Sequence, residues 1–264
     1  YAFGLEINSS FTGEDLFYAP ILLQDLIKKY KSNIEHIYIS KSYLSFNRLK
    51  KKFNFFCKNN YPFCISLKDW LNFFLLHLNT RIKSIIKKKP KSIKEHFSRI
   101  GIKSSYVKKV NTKSFYKLLK SHNPDIIILA CFDKIVSKEL CSIPKDGIYN
   151  VHLGKLPNYK GGLSSFWVLR FKDDTAGASI HEVSPKIDSG RLIGEKHFTI
   201  RTKSMHELML KTVHESSTLI TKVVEKIMKG KIKEINIKEK QSNYYLYPSK
   251  LDFRKFYKNG CKLI

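Results

Sequence analysis

Between Asp125 and Cys131 the chain runs Ile126-Ile127-Ile128-Leu129-Ala130, five apolar residues without a polar break. A strand with one wet face alternates apolar and polar side chains, so an unbroken run this short demands burial on both faces, as at the centre of a parallel sheet. An amphipathic helix is expected just before it, over about 112–121. A short helix near 135–142 and a strand at 147–153 (GIYNVHL) are expected after it. Upstream, residues 2–8 (AFGLEIN) and 34–40 (IEHIYIS) read as strands around a helical segment at about 17–31. Downstream, strands fit at 177–184 and 191–200, followed by a long helix from about 203 to 229. Strands alternating with helices predict an α/β chain: a Rossmann-like, twisted, mainly parallel sheet with helices on both faces.

With 264 residues, 42% hydrophobic and 27% charged, the chain is long enough for a full core and is not of disordered composition. It has no run of about 18 apolar residues, so no spanning helix is expected. Its opening, YAFGLEINSS, lacks the basic start and apolar stretch of a signal peptide. The five cysteines (Cys57, Cys64, Cys131, Cys141, Cys261) form no CxxC or CxxH pair. Neither a disulfide framework nor a metal is therefore expected, and they read as reduced thiols of a cytoplasmic protein.

The net charge of +27 is unevenly placed. Residues 81–120 hold fourteen Lys/Arg against one acid, Glu95, whereas residues 124–200 hold ten basic and nine acidic side chains. A nucleic-acid enzyme places its basic patch beside its active site, so this separation argues against a nucleic-acid partner without excluding one. The lysines read as a solvated surface or as a contact with an anionic surface. Within them, 66–100 starts aromatic and apolar (Trp70, Phe73, Phe74) and ends in lysines before Pro90. It reads either as a core-packed helix with a solvated end or as a basic amphipathic element resting peripherally on a membrane or partner.

The segment from Gly147 to Ile200 carries the chemistry. Side chains alternate along a strand, so Asn150 and His152 point to one side of 147–153. They end a central strand, where open α/β sheets place their ligands. A loop with Pro157, Gly161 and Gly162 follows, and a later loop, Lys186-Ile187-Asp188-Ser189-Gly190, brings a carboxylate beside a glycine. An amide, an imidazole and a carboxylate suffice for acyl transfer. The amide donates to a developing oxyanion, the imidazole moves the proton of an attacking amine, and the carboxylate orients the imidazole and raises its basicity.

The stretches N-V-H-L-G-K-L-P-N-Y-K-G-G, S-F-W-V-L, T-A-G-A-S-I-H and I-D-S-G-R-L-I, in this order and spacing, resemble the folate-dependent formyltransferases. That family comprises the glycinamide ribonucleotide, methionyl-tRNA and sugar N-formyltransferases, and the resemblance covers about residues 112–200. It implies the formyltransferase fold, 10-formyltetrahydrofolate as donor, and catalytic roles for Asn150, His152 and Asp188. It also implies that the loop holding Phe132, Asp133, Lys134, Ile135 and Val136, together with Gly190, contacts the folate. The chain departs from the family pattern in three places. Gly154 stands where Ser is usual, with the expected loss of a loop hydrogen bond. Lys160 stands where Arg is commoner, keeping the charge but not the fork geometry. INSSFTGEDLFYAP lacks the glycine- and serine-rich phosphate loop of the purine enzyme, and Glu14 and Asp15 would repel a phosphate there.

The expected partition is a catalytic unit over 1–200, with the insert at about 66–100, and a helix and tail over 201–264 packed on it. After Ile200 only 64 residues remain, too few for the further C-terminal barrel of the tRNA enzyme. Elimination ranks a small-molecule amine first as acceptor, an amino sugar attached to a nucleotide. Methionyl-tRNA, glycinamide ribonucleotide and a catalytically idle binding module are the alternatives. Tyr244, Tyr245 and Tyr247 are expected to pack, with stacking on a base or sugar as their other use. The sequence carries no sign of an oligomeric state.

Overall fold

The computed structural model describes residues 3–8, 18–40, 75, 90, 92–132, 134–184, 188–235 and 242–264. Most of the 66–100 insert lies outside the described residues, as does Asp133. Nine strands are described: β1 (Phe3–Asn8), β2 (Ile34–Ser40), β3 (Ser104–Val107), β4 (Ile126–Ala130), β5 (Ile148–His152), β6 (Lys160–Gly161), β7 (Thr175–Glu182), β8 (Leu192–Thr199) and β9 (Tyr244–Tyr245). Seven α-helices accompany them: α1 (Tyr18–Tyr30), α2 (Ile93–Arg99), α3 (Lys113–His122), α4 (Lys138–Cys141), α5 (Ser164–Phe171), α6 (Met205–Met228) and α7 (Lys250–Lys258).

The main sheet has the order β3-β2-β1-β4-β5-β7-β8. Its first five strands are parallel, and β7 and β8 continue it antiparallel. Strand order reverses between β1 and β4, which makes the carboxyl ends of the central strands the ligand-binding edge of such a sheet. The apolar run of β4 is buried at every position. Ile126, Ile128 and Ala130 pack on one face with Leu22, Leu23 and Leu26 of α1 and Val213, Ile220 and Val224 of α6. Ile127 and Leu129 pack on the other with Phe115, Tyr116 and Leu119 of α3 and Leu140 of α4. Both faces are covered by helices, as a parallel sheet requires.

Helices α3, α4, α6 and α7 start where a Ser or Thr side chain satisfies a free N–H group. Thr112, Ser137, Ser204 and Ser249 cap α3, α4, α6 and α7, each accepting from a backbone N–H three residues on. Helix α7 belongs to a third apolar cluster, where Phe253 and Phe256 pack on Phe166 and Trp167 of α5. The Phe166 and Phe256 rings stack with centroids 4.6 Å apart. Strand β9 pairs with β6 in a separate two-stranded ladder, which lays the tail beside the loop that follows β5.

Candidate active site

The antiparallel register of β5 and β7 sets Asn150 opposite His181 and His152 opposite Ser179. Directly opposite residues share a face, so two strands deliver an amide and two imidazoles to one place. Asp188 joins them from the loop between β7 and β8, with φ +45°. Its Oδ2 accepts from the backbone N–H of Gly161 at 2.8 Å and lies 3.7 Å from His152 Nδ1. Its Oδ1 lies 3.5 Å from His181 Nε2. One carboxylate thus sits between two histidines, held by a main-chain donor.

The proton positions follow from the acceptors. His152 Nε2 is 2.6 Å from the carbonyl oxygen of Tyr159, and a carbonyl only accepts, so Nε2 carries a hydrogen. In neutral His152 this leaves Nδ1 as the bare nitrogen, facing Asp188. His181 Nδ1 is 2.9 Å from the Glu182 carbonyl and donates to it. With its hydrogen on Nδ1, His181 accepts at Nε2 from Asn150 Nδ2, at 3.1 Å. The second N–H of that amide has no protein partner among the described residues.

Burial pushes the His152 imidazole below its ordinary value, and the charge of Asp188 opposes this without overcoming it. Burial works to raise the Asp188 carboxyl, but the nearby His181 and His152 rings and the Gly161 N–H outweigh it and bring it down to about 2. The resting site is an ionised carboxylate beside a neutral imidazole. The carboxylate was expected to orient His152; the Tyr159 carbonyl makes that hydrogen bond instead.

These groups open into a cavity of about 390 Å³, a volume within the usual range for small-molecule sites. Phe132, Lys134, Ile135 and Val136 line it from the loop after β4, which opens with Cys131 at φ +53°. Asn111 pins this loop by donating to the Ile135 carbonyl and accepting from Ser137 N–H. Burial raises the Cys131 thiol to about 12, so it stays protonated. Gly190 does not line the cavity; its Cα lies against the Glu182 carbonyl, where any Cβ would collide. From the tail, Tyr245 is held by stacking on Trp167 (4.8 Å between centroids) and Tyr159 (5.5 Å). Tyr244 and Tyr247 are exposed at the cavity mouth.

Three parts of the site carried no signal along the chain. His181 stands on another strand and meets Asn150 only through the register. The Tyr159 carbonyl and the Gly161 N–H are main-chain groups. The one visible sign was Gly161 itself: φ is +90° and a Cβ there would run into the Tyr245 carbonyl, so the loop needs glycine at this point.

A family model described as "Formyl transferase" matches residues 81–224. The chain belongs to the formyl transferase family. Among curated relatives, the bifunctional polymyxin resistance protein ArnA of Wigglesworthia glossinidia brevipalpis is 30% identical over 155 residues, 58% of this chain and 24% of ArnA. Methionyl-tRNA formyltransferase of Thermotoga maritima is 27% identical over 124 residues, 47% of this chain and 40% of the relative. The chain thus spans less than half the length of either. Among solved structures, an N-formyltransferase from Helicobacter canadensis, in complex with folinic acid and dTDP-3-aminofucose, covers 96% of this chain with 72% of its own length matched, at TM-score 0.59 and 16% identity. Phosphoribosylglycinamide formyltransferase from Anaplasma phagocytophilum covers 92% with 97% of its own length matched, at TM-score 0.59 and 16% identity. At these identities the structures speak for the fold.

Proposed function

We propose that the chain moves a formyl group from 10-formyltetrahydrofolate to a primary amine of a small molecule, an amino sugar carried on a nucleotide. The observation that carries this reading is the convergence of Asn150, His152, His181 and Asp188 in one cavity with the loop after β4. Phe132, Ile135 and Val136 offer the apolar wall that a flat pterin ring needs, and Lys134 stands beside them for its acidic tail. The donor supplies an activated formyl carbon. Asn150 gives its second N–H to the formyl oxygen as negative charge builds there, and His181 fixes the plane of that amide. Nδ1 of His152 takes the proton from the attacking amine, Asp188 stabilises the imidazolium that results, and the same proton goes to the donor nitrogen as its bond to the formyl carbon breaks. Tyr159 keeps Nδ1 available by holding the other ring hydrogen.

Two facts support the amino-sugar acceptor. The Helicobacter canadensis protein, whose complex holds dTDP-3-aminofucose, matches nearly the whole of this chain. Exposed Tyr244 and Tyr247 also stand at the cavity mouth, where a base or sugar ring can stack. In a second reading the acceptor is methionyl-tRNA, favoured by the curated relative from Thermotoga maritima. We place exposed Lys108, Lys109, Lys113 and Lys117 outside this chemistry, as an adhesive face for anionic surfaces. Among the described residues no helix is long and apolar enough to cross a membrane.

The test offers the protein 10-formyltetrahydrofolate with a dTDP-amino sugar, glycinamide ribonucleotide or methionyl-tRNA in turn, and follows formylated product by mass spectrometry. Product from the amino sugar at the highest kcat/KM is expected. Product from methionyl-tRNA alone would replace the first reading with the second.

A further inference from the structure

The residue after the Asn150-Val151-His152-Leu153 segment is Gly154, and the missing side chain there is not an empty place. A Cβ at 154 would overlap Ser164 Oγ, and would lie 2.8 Å from Ser164 Cβ and 2.9 Å from His152 Nε2. Ser164 opens α5 and is buried at 7% exposure. Its hydroxyl donates to the Tyr159 carbonyl at 3.4 Å, the same oxygen that receives His152 Nε2–H at 2.6 Å. Two donors from two elements converge on one main-chain acceptor, and the absence of a side chain at 154 makes room for the second.

We propose that Ser164 is a positioning residue for His152, and that Gly154 and Ser164 act as an exchange pair: the hydroxyl beside the histidine comes from α5, and 154 must be glycine because of it. The physical reason is a competition for one proton. Neutral His152 carries its single ring hydrogen on Nε2, toward Tyr159, or on Nδ1, toward the Asp188 carboxylate 3.7 Å away. Only the first form leaves Nδ1 free to accept a proton. Asp188 favours the second form, so the Tyr159 carbonyl has to be held in place to prevail. Its own side chain helps from outside the cavity, Tyr159 Oη donating to Asp173 Oδ2 at 2.6 Å. Ser164 holds the carbonyl from within.

This inference rests on the proposed formyl transfer for its kinetic arm, but its spectroscopic arm does not. Long-range ¹H–¹⁵N spectra of the His152 ring, together with kcat and KM across pH, are recorded for the wild type, Ser164→Ala, Ser164→Gly, Gly154→Ser and Gly154→Ser/Ser164→Gly. The wild type is expected to show the Nε2–H form. Ser164→Ala and Ser164→Gly should mix in the Nδ1–H form and lower kcat about tenfold, the order expected for losing one hydrogen bond, with both KM values within about twofold. Gly154→Ser alone should lose more, because both side chains claim one space. The double variant returns a hydroxyl from position 154 and should regain most of the kcat lost by Ser164→Gly. Unchanged tautomer and kcat in Ser164→Ala would overturn the proposal. So would full activity of Gly154→Ser, or a folded double variant no better than Ser164→Gly. If the wild type transfers formyl to none of the amines, the functional reading falls, while the tautomer spectra still decide the role of Ser164.

Discussion

Asn150 and His181 lie directly opposite each other across β5 and β7, and the Asn150 amide donates to His181 Nε2 at 3.1 Å. An asparagine amide carries two N–H bonds, so giving one to a fixed histidine aims the other. His181 Nε2 also lies 3.5 Å from Asp188 Oδ1, so the amide and the carboxylate stand beside one ring. Replacing His181 by Ala should leave Asn150 free to rotate. We expect kcat to fall on the order of 10- to 100-fold with donor KM nearly unchanged, because the lost constraint matters most as charge develops. Steady-state kinetics of His181→Ala beside the wild type checks this. A rise in KM alone would make His181 part of a binding wall.

The pH dependence follows from the His152–Asp188 pair. The proposed transfer requires neutral His152, whose imidazole burial pushes below its ordinary value of 6.5. Turnover should therefore hold at neutral pH and fall on an acid limb centred below 6.5. Asp188 pulls that value upward, so Asp188→Asn should move the limb to lower pH and reduce kcat ~100-fold or more by leaving the imidazolium unpaired. Stability carries the same signs. Both folded values are depressed, so both contributions are complete above the unfolded values. That of His152 fades as pH falls below about 6.5, and that of Asp188 as pH falls from about 4 toward 2. Rate profiles and urea midpoints across pH measure the two effects, and an acid limb moving upward in Asp188→Asn would reverse the assignment.

Strand β9 joins the tail to the site through Gly161, whose N–H holds Asp188 while its neighbour Lys160 N–H donates to the Asn243 carbonyl. Tyr245 secures that strand by stacking on Trp167 and Tyr159. Tyr245→Ala removes both stacks and should cost roughly 3 kcal/mol of stability, the lower end for a large aromatic because the ring is only partly buried. Turnover should fall with it, because the Gly161 loop loses its partner. Denaturant unfolding and kcat of the same variant are the measurements, and a large loss of stability with unchanged kcat would separate the tail from the site.

The lysines pose a question of place. Lys108, Lys109, Lys113 and Lys117 are exposed. Exposed charges are screened as the Debye length falls from about 10 Å at 0.1 M to about 3 Å at 1 M salt, whereas chemistry in a closed cleft is screened much less. Changing these four to Gln should abolish binding to anionic vesicles and leave formyl transfer to a small amine within about twofold. Parallel loss of both would put the basic stretch in the acceptor site and favour the tRNA reading.

How much of this was legible along the chain follows from what each feature needs. Ile126–Ala130 revealed itself because only a strand buried on both faces tolerates five apolar residues in a row, and the 24-residue α6 declared itself by its apolar stripe. The directions of β7 and β8 were not legible. The 22 residues between β5 and β7, with helix α5 among them, would equally serve a parallel crossover. Nor was the anchoring of His152. The Tyr159 carbonyl belongs to the backbone and has no residue code, so the carboxylate in the sequence was credited with its task. Gly154 read as a loss for the same reason: the hydroxyl that stands beside it is ten residues away on α5.

The central claim is that Asn150 acts on the transition state and not on the bound donor. Single-turnover transfer from a ¹³C-formyl donor to the amine acceptor, with donor affinity measured on the same samples, tests it most directly. In Asn150→Ala the account predicts transfer slowed ~100- to 1,000-fold with donor affinity within about threefold of wild type. Donor affinity and transfer falling together by the same factor would contradict it and make Asn150 a wall of the folate pocket.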